Sequence, residues 1–194
     1  SILAPSNNTN NLNNSINLTV NVEGGAGIAN RNATAWIYYI NGSLIRNSNT
    51  TIITSGNATI NNTNISIVGL SVPNIFLWNV LACGVSGVNT VCEFAPKNLT
   101  LRAIEQIITN NFTSPVLEST NEFFQLNITI PNSASILSSQ LVYNNNYFTA
   151  DVTSFGGNNR SISRNLTIPL VTQSGNINFF WSLIYSNGYN SNTS

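Results

Sequence analysis

The chain has 194 residues, 42% of them hydrophobic, with six basic and six acidic side chains, no histidine and a formal net charge of zero. Charged residues are 6% of the chain, against about 25% in ordinary soluble domains. A core of real size is therefore within reach, while a basic surface for nucleic acid or anionic lipid, imidazole catalysis and an imidazole metal site are excluded.

In chain order, residues 1–11 are nearly all small or polar and read as an extended leader. Leu12, Ile16, Leu18, Val20 and Val22 then occupy even positions, while Asn13, Ser15, Asn17, Thr19, Asn21 and Glu23 occupy odd ones. Only Asn14 breaks the apolar set. A period of two marks a half-buried β-strand. Gly24-Gly25-Ala26-Gly27 follows, and 24–31 reads as a glycine-rich joint with little stiffness. An amphipathic strand on such a joint has two choices: it pairs with its own domain or with the next one.

The body is expected over 32–194 as one all-β domain. Trp36 to Ile40 is an aromatic and β-branched strand, closed by the turn signal Asn41-Gly42. Residues 51–54 and 58–70 are strand-like, and Pro73-Asn74 interrupts them. Ile75 to Cys83 suits a strand buried on both faces, residues 84–89 a loop, and Val91 to Phe94 a return strand. Residues 99–108 are ambiguous. Leu101, Ile104 and Ile108 fit a helical spacing, and a strand running into a short helix or turn is expected. Phe124, Leu126, Ile128 and Ile130 alternate with Gln125, Asn127 and Thr129. Residues 141–150 and 166–171 are further strands. Ile177, Phe179, Trp181, Leu183 and Tyr185 form the last, followed by a polar tail. Roughly nine or ten short strands with almost no helix indicate an immunoglobulin-like β-sandwich. No fixed-period repeat and no compositional shift divides the chain.

Asparagine replaces charge at the surface. Fifteen Asn-x-Ser/Thr triplets occur, at Asn7, Asn13, Asn17, Asn32, Asn41, Asn49, Asn57, Asn61, Asn64, Asn98, Asn111, Asn127, Asn159, Asn165 and Asn192. Roughly half that number follows from composition alone. Position says more. In eight triplets the middle residue is apolar: Leu18, Ala33, Ala58, Ile65, Leu99, Phe112, Ile128 and Leu166. On a strand the Asn and the Ser/Thr then share the outer face and the middle side chain points inward. The expected reading is N-linked glycans supplying the solubility that charge usually supplies. An undecorated Asn/Thr surface is the bland alternative.

Glycans imply secretion, and so does the pair Cys83 and Cys92, read as a disulfide stapling a hairpin. The absence of a signal peptide is read as a mature chain beginning at Ser1. No apolar run approaches the ~20 residues of a membrane span. That also speaks against a type IV pilin, whose filaments are held by a long apolar N-terminal helix.

Catalytic signals are few. Glu118 and Glu122 are the closest acidic pair and read as solvated loop acids. The glycines at 24, 25 and 27 lack the Lys-Ser/Thr and the helix of a phosphate loop. Lys97 is the only lysine. An autocatalytic amide to asparagine needs such a lysine buried, and an exposed one is the simpler reading. Trp36, Trp78 and Trp181 are assigned to core packing rather than to a carbohydrate platform. No enzyme, cofactor or metal is expected. With six carboxylates and no histidine, little titrates between neutrality and strong acid, so acid tolerance is expected.

A sequon-dense, nearly uncharged β-sandwich with an N-terminal amphipathic strand on a glycine joint resembles the subunit of archaeal threads. These are thin surface filaments of thermoacidophilic archaea, assembled by donor-strand complementation. The architecture is also similar to that of bacterial chaperone–usher (type 1) pilins, although those depend on a dedicated chaperone and usher, of which this chain gives no sign. The resemblance implies a homopolymer at the cell surface, serving adhesion or biofilm formation, in which each sandwich lacks one strand. Leu12, Ile16, Leu18, Val20 and Val22 of a neighbour would fill the gap by β-augmentation. Burying five such side chains is worth on the order of 8–15 kcal/mol as an upper estimate. A head-to-tail contact that does not close on itself gives an open filament. The alternative is a monomeric secreted or envelope-layer glycoprotein whose sandwich binds carbohydrate or protein. A secreted hydrolase is a third reading.

Overall fold

The computed structural model describes residues 2–23, 28–48, 50–53, 58–66, 70–112, 116–170 and 177–193. These residues form eighteen strands and no helix, so none is long and apolar enough to cross a membrane. The chain is all-β, as its alternating patterns require. It divides into two compact units: Ser1–Leu70 with Asn74–Ala103, and Ser71–Pro73 with Ile104–Ser194. The expected single body over 32–194 is thus two groupings, and the first includes the leader. Composition hides the change because both units are built from the same Asn- and Thr-rich strands.

The first unit contains β1 (Ile2–Ala4), β2 (Thr9–Asn10), β3 (Ser15–Val22), β4 (Ile28–Tyr39), β5 (Leu44–Asn47), β6 (Thr51–Ile53), β7 (Ala58–Ser66), β8 (Asn74–Ser86), β9 (Asn89–Phe94) and β10 (Leu99–Ala103). Its smaller sheet has the order β1-β3-β7. Its larger sheet runs β2-β10-β8-β4-β5, with β6 also on β4 and β9 also on β8. β2 joins β10 in parallel, and every other described pair in the unit is antiparallel. The long central pair β4–β8 sorts its side chains by parity. Ala33, Ala35, Ile37, Phe76 and Trp78 are fully buried, while Trp36 and Tyr38, at alternate positions of β4, stack on each other with centroids 6.2 Å apart.

The second unit contains β11 (Gln106–Asn111), β12 (Asn121–Thr129), β13 (Ile136–Tyr143), β14 (Asn146–Thr149), β15 (Asp151–Ser154), β16 (Asn159–Thr167), β17 (Phe179–Tyr185) and β18 (Asn190–Thr193). They make two four-stranded antiparallel sheets, β11-β12-β16-β15 and β14-β13-β17-β18. Phe124 of the first sheet meets Phe179 and Tyr143 of the second, at centroid distances of 5.2 and 6.0 Å. That contact is consistent with the two layers of a β-sandwich. Phe124, Leu126, Ile128, Trp181, Leu183 and Tyr185 are fully buried, as their alternation predicts. The chain passes from one sheet to the other at buried Ala150, whose N–H donates to the Ser139 carbonyl at 2.9 Å.

Several expected boundaries move. β4 already begins at Ile28, inside the joint expected over 24–31, whose residues 24–27 lie outside the described residues. The loop expected at 84–89 is mostly strand: β8 runs to Ser86, β9 starts at Asn89, and Gly87 turns with φ +63°. No helix forms in 99–108. Leu101 enters the core of the first unit, and the chain crosses at 104–105 into β11 of the second, so the apparent helical spacing joins residues of two different units. The strand expected over 141–150 folds back at Asn144 and Asn145, with φ +48° and +61°. Asparagine tolerates that left-handed backbone, which two-residue hairpin turns demand at both positions. The polar tail is not free either, because β18 pairs with β17 and buries Thr193.

Candidate functional site

The N-terminal strand is set by alternation and confirmed by burial. Ile16, Leu18, Val20 and Val22 are 6, 0, 2 and 7% exposed. Leu12, expected in the same set, lies before β3 and is half-buried. In this chain β3 pairs at home. It lies antiparallel to β7, with Ile16 opposite Ile65, Val20 opposite Ile60 and Val22 opposite Ala58. Its other neighbour is β1, where Ile2 faces Val20. The leader is also tied to β10: the Thr100 N–H donates to Asn7 Oδ1 at 2.8 Å, and the Asn8 and Asn11 N–H groups donate to the Thr100 and Arg102 carbonyls at 2.9 and 2.7 Å. Donor-strand geometry between copies is therefore not what the single chain adopts. The segment completes its own sheet, because β7 offers it an antiparallel ladder within one chain.

Where β3 ends, a cleft of about 230 Å³ opens, lined by Ile2, Val20, Val22, Val80 and Phe94 among others, with Glu23 and Glu93 on its wall. Asn21 Nδ2 donates to Glu23 Oε1 at 2.9 Å. Sequence reasoning did not bring these two carboxylates together, since seventy positions separate them and neither lies in a motif.

The sequons follow the strand faces. Eleven of the fifteen asparagines have described side chains. Asn7, Asn13, Asn17, Asn41, Asn98, Asn111, Asn165 and Asn192 are exposed, Asn32, Asn127 and Asn159 are half-buried, and none is buried. Asn49 and Asn57 lie outside the described residues, as do the side chains of Asn61 and Asn64. Of the inward residues, Leu18, Ala33, Ile65, Ile128 and Leu166 are buried. Leu99 is half-buried and the side chain of Ala58 is not described. Phe112 departs from the expectation at 43% exposed. It lies just past the last residue of β11, where its ring meets Phe179 edge-on at 4.7 Å.

On the larger sheet of the first unit, one tryptophan is corrected. Trp78 and Trp181 are core residues at 0% exposure. Trp36 has the opposite parity to Ala35 and Ile37, so it stands on the outer face, where Phe94 packs edge-on against it at 5.8 Å. Asn79, the Cα partner of Trp36, is also on that face and only 5% exposed. Residues 95–98 cover it. Asn79 Nδ2 donates to the Ala95 carbonyl at 3.1 Å and to Asn98 Oδ1 at 2.7 Å, and Asn79 Oδ1 accepts the Val80 N–H at 2.7 Å.

Cys83 and Cys92 form a disulfide between directly opposed residues of β8 and β9. Lys97 is exposed. Glu118 is exposed, and Glu122 is half-buried, accepting a hydrogen bond from Thr120 Oγ1 at 2.8 Å. Glu105 gathers two hydroxyl donors, Tyr185 Oη at 3.3 Å and Ser191 Oγ. Burial, reinforced by this carboxylate, pushes the Tyr185 hydroxyl well above the ordinary tyrosine range. No cluster of three potential metal ligands occurs among the described residues. Comparison with known protein families and with curated proteins finds no match, so the functional reading rests on the chain's own residues.

Proposed function

We propose that the protein is a noncatalytic structural subunit of an extracellular, N-glycosylated filament, similar to archaeal threads, in which copies join head to tail by exchanging residues 1–23. On this reading each unit is an immunoglobulin-like, pilin-like sandwich, and the polymer serves attachment of cells to surfaces or to each other. The observation that carries it is the place of β3. It is the middle strand of a three-stranded sheet, yet one of its neighbours, β1, belongs to the same N-terminal segment 1–23. Beyond that segment, the described ladders tie it to the body only through β7 and β10. Moving the whole segment to a second copy recreates every one of these pairs, which is the condition for strand exchange at little net cost. The exposed sequons supply the glycan surface of such a filament.

A second reading is a single secreted or envelope-layer glycoprotein. It is favoured by the pairing of β3 within its own chain.

A disulfide introduced at one register pair separates the two. Val20→Cys with Ile60→Cys places two thiols on directly opposed residues of β3 and β7. After oxidation, a covalent ladder on a denaturing gel and filaments in electron micrographs are expected. Bands of subunit mass alone would overturn exchange and leave the single glycoprotein.

A further inference from the structure

We propose that a glycan on Asn98 is a structural part of the first unit, its first sugars lying against the exposed face of Phe94. The proposal rests on the reading of a glycosylated surface and goes on to say where one glycan sits. Asn79 is the starting point. A buried asparagine is costly unless its amide is satisfied, and this one is satisfied by the Val80 N–H, the Ala95 carbonyl and Asn98 Oδ1. The last of these bonds grips the Asn98 carboxamide by its oxygen. Because the carboxamide is planar, Nδ2 is turned away from the buried partner. Nδ2 is the atom that carries the sugar in an N-linked glycan, and its attachment leaves the gripped oxygen untouched.

Phe94 immediately precedes the residue whose carbonyl shares a donor with this amide. The Ala95 carbonyl and Asn98 Oδ1 share one donor nitrogen, so the Asn98 carboxamide lies within a few ångströms of the residue that follows Phe94. Phe94 is 41% exposed, and its ring packs edge-on with that of Trp36, whose Cα partner is Asn79. An open aromatic ring braced on its far side and a fixed amide nitrogen thus flank one buried side chain. Sugar rings present C–H groups on one face and hydroxyls at the rim. They pair their C–H groups with the negative face of an aromatic ring while keeping the hydroxyls in water. The neighbouring charges, Glu93 and Lys97, are exposed and have opposite sign, which suits a neutral sugar.

Attachment itself is ordinary N-glycan chemistry. Asn98 Nδ2 bonds to the anomeric carbon of a lipid-phosphate-linked oligosaccharide, the bond from that carbon to the phosphate oxygen breaks, one amide proton is released, and the lipid phosphate leaves. What the fold adds is the resting place of the sugar afterwards.

The test uses the full chain produced in cells that N-glycosylate. Glycopeptide mass spectrometry reads each sequon, and thermal melts are recorded for the unmutated protein, Thr100→Val, Phe94→Leu and the double variant. Thr100→Val abolishes the sequon and leaves the Asn98 amide and its hydrogen bond in place. Sugar on the Asn98 peptide is expected. Thr100→Val should lower Tm by about 2–4 °C with Phe94 present and by less than about 1 °C with leucine there. Equal losses in both backgrounds would overturn the contact. A bare Asn98 beside other loaded sequons would overturn this proposal and spare the glycosylated surface, and sugar on no sequon would overturn both. If Phe94→Leu does not fold, through-space NMR contacts between Phe94 ring protons and sugar protons decide the matter in the unmutated glycoprotein, and their absence overturns the proposal.

Discussion

The two units are built to the same taste but closed in different ways. The second is two four-stranded sheets in which every described pair is antiparallel, and its last strand is added by a simple hairpin onto β17. The first completes its smaller sheet with β3 and one edge of its larger sheet with β2, both from residues 1–23, and the partner of β2, β10, lies some ninety residues on. On the proposed strand exchange, the first unit would be emptied and refilled by its N-terminal segment, which supplies a middle strand, whereas the terminal strand of the second unit, β18, adds only an edge.

The harshest way to break the comparison is to delete residues 1–23. The first unit loses β1, β2 and β3 and leaves β7 without its β3 ladder, so it should unfold while the second stays folded. Two-probe melting checks this: Trp181 emission keeps its transition, and the Trp36 and Trp78 contribution loses it. Synthetic peptide 1–23 added in trans should restore the first transition. Loss of both transitions together would show that the units are not independent.

Single cavities sharpen the same contrast. Leu18 and Leu126 are both at 0% exposure, one in each unit. Leu18→Ala and Leu126→Ala should each cost about 2–5 kcal/mol, but in different transitions. Denaturant melts followed by the unit-specific tryptophans would show a shift of the first midpoint for one variant and of the second midpoint for the other.

The gentlest probe is pH. In the second unit burial, with Glu105 adding to it, raises Tyr185, and burial, with Glu118 adding to it, raises Tyr143; in the first unit burial raises Tyr38. A tyrosine whose folded pKa lies above its unfolded value of about 10 contributes stability fully present below pH 10 and lost as pH rises beyond it. The loss is at most about 1.4 kcal/mol per pH unit for Tyr185, and less for Tyr38 and Tyr143, whose hydroxyls solvent screens. The second unit should therefore melt at lower temperature from pH 10 upward, and Tyr185→Phe should flatten that decline. Toward acid the expectation reverses. None of the six carboxylates is buried, and circular dichroism should retain the β signal from pH 7 to pH 2. A cooperative loss in that range would contradict it.

Much of the fold was legible because a strand writes its two faces into neighbouring positions. Ile16 to Val22, Phe124 to Ile130 and Phe179 to Tyr185 each declare an inner face by alternation alone, and so do the sequons with a buried middle residue. The disulfide was legible from two cysteines at close spacing. The break between units was not, since Leu101 and Ile108 look like one amphipathic stretch, whereas Leu101 enters the core of the first unit and Ile108 lies exposed on β11 of the second. Nor was the outward stance of Trp36, whose neighbours Ala35 and Ile37 occupy the inner face although tryptophan is the larger apolar side chain. The Asn144–Asn145 turn and β18 were hidden because asparagine serves turns, strand faces and loops alike in this chain.

Local alternation therefore determined that the protein is all-β, most of the side chains that enter a core, and that Leu18, Val20 and Val22 belong to a strand. Only tertiary structure decided that this strand lies between β1 and β7 of its own chain, and that Asn79 reaches Asn98. Partner choice depends on hydrogen-bond ladders and buried contacts between residues tens of positions apart, and a pattern of period two carries no information about which edge it will meet.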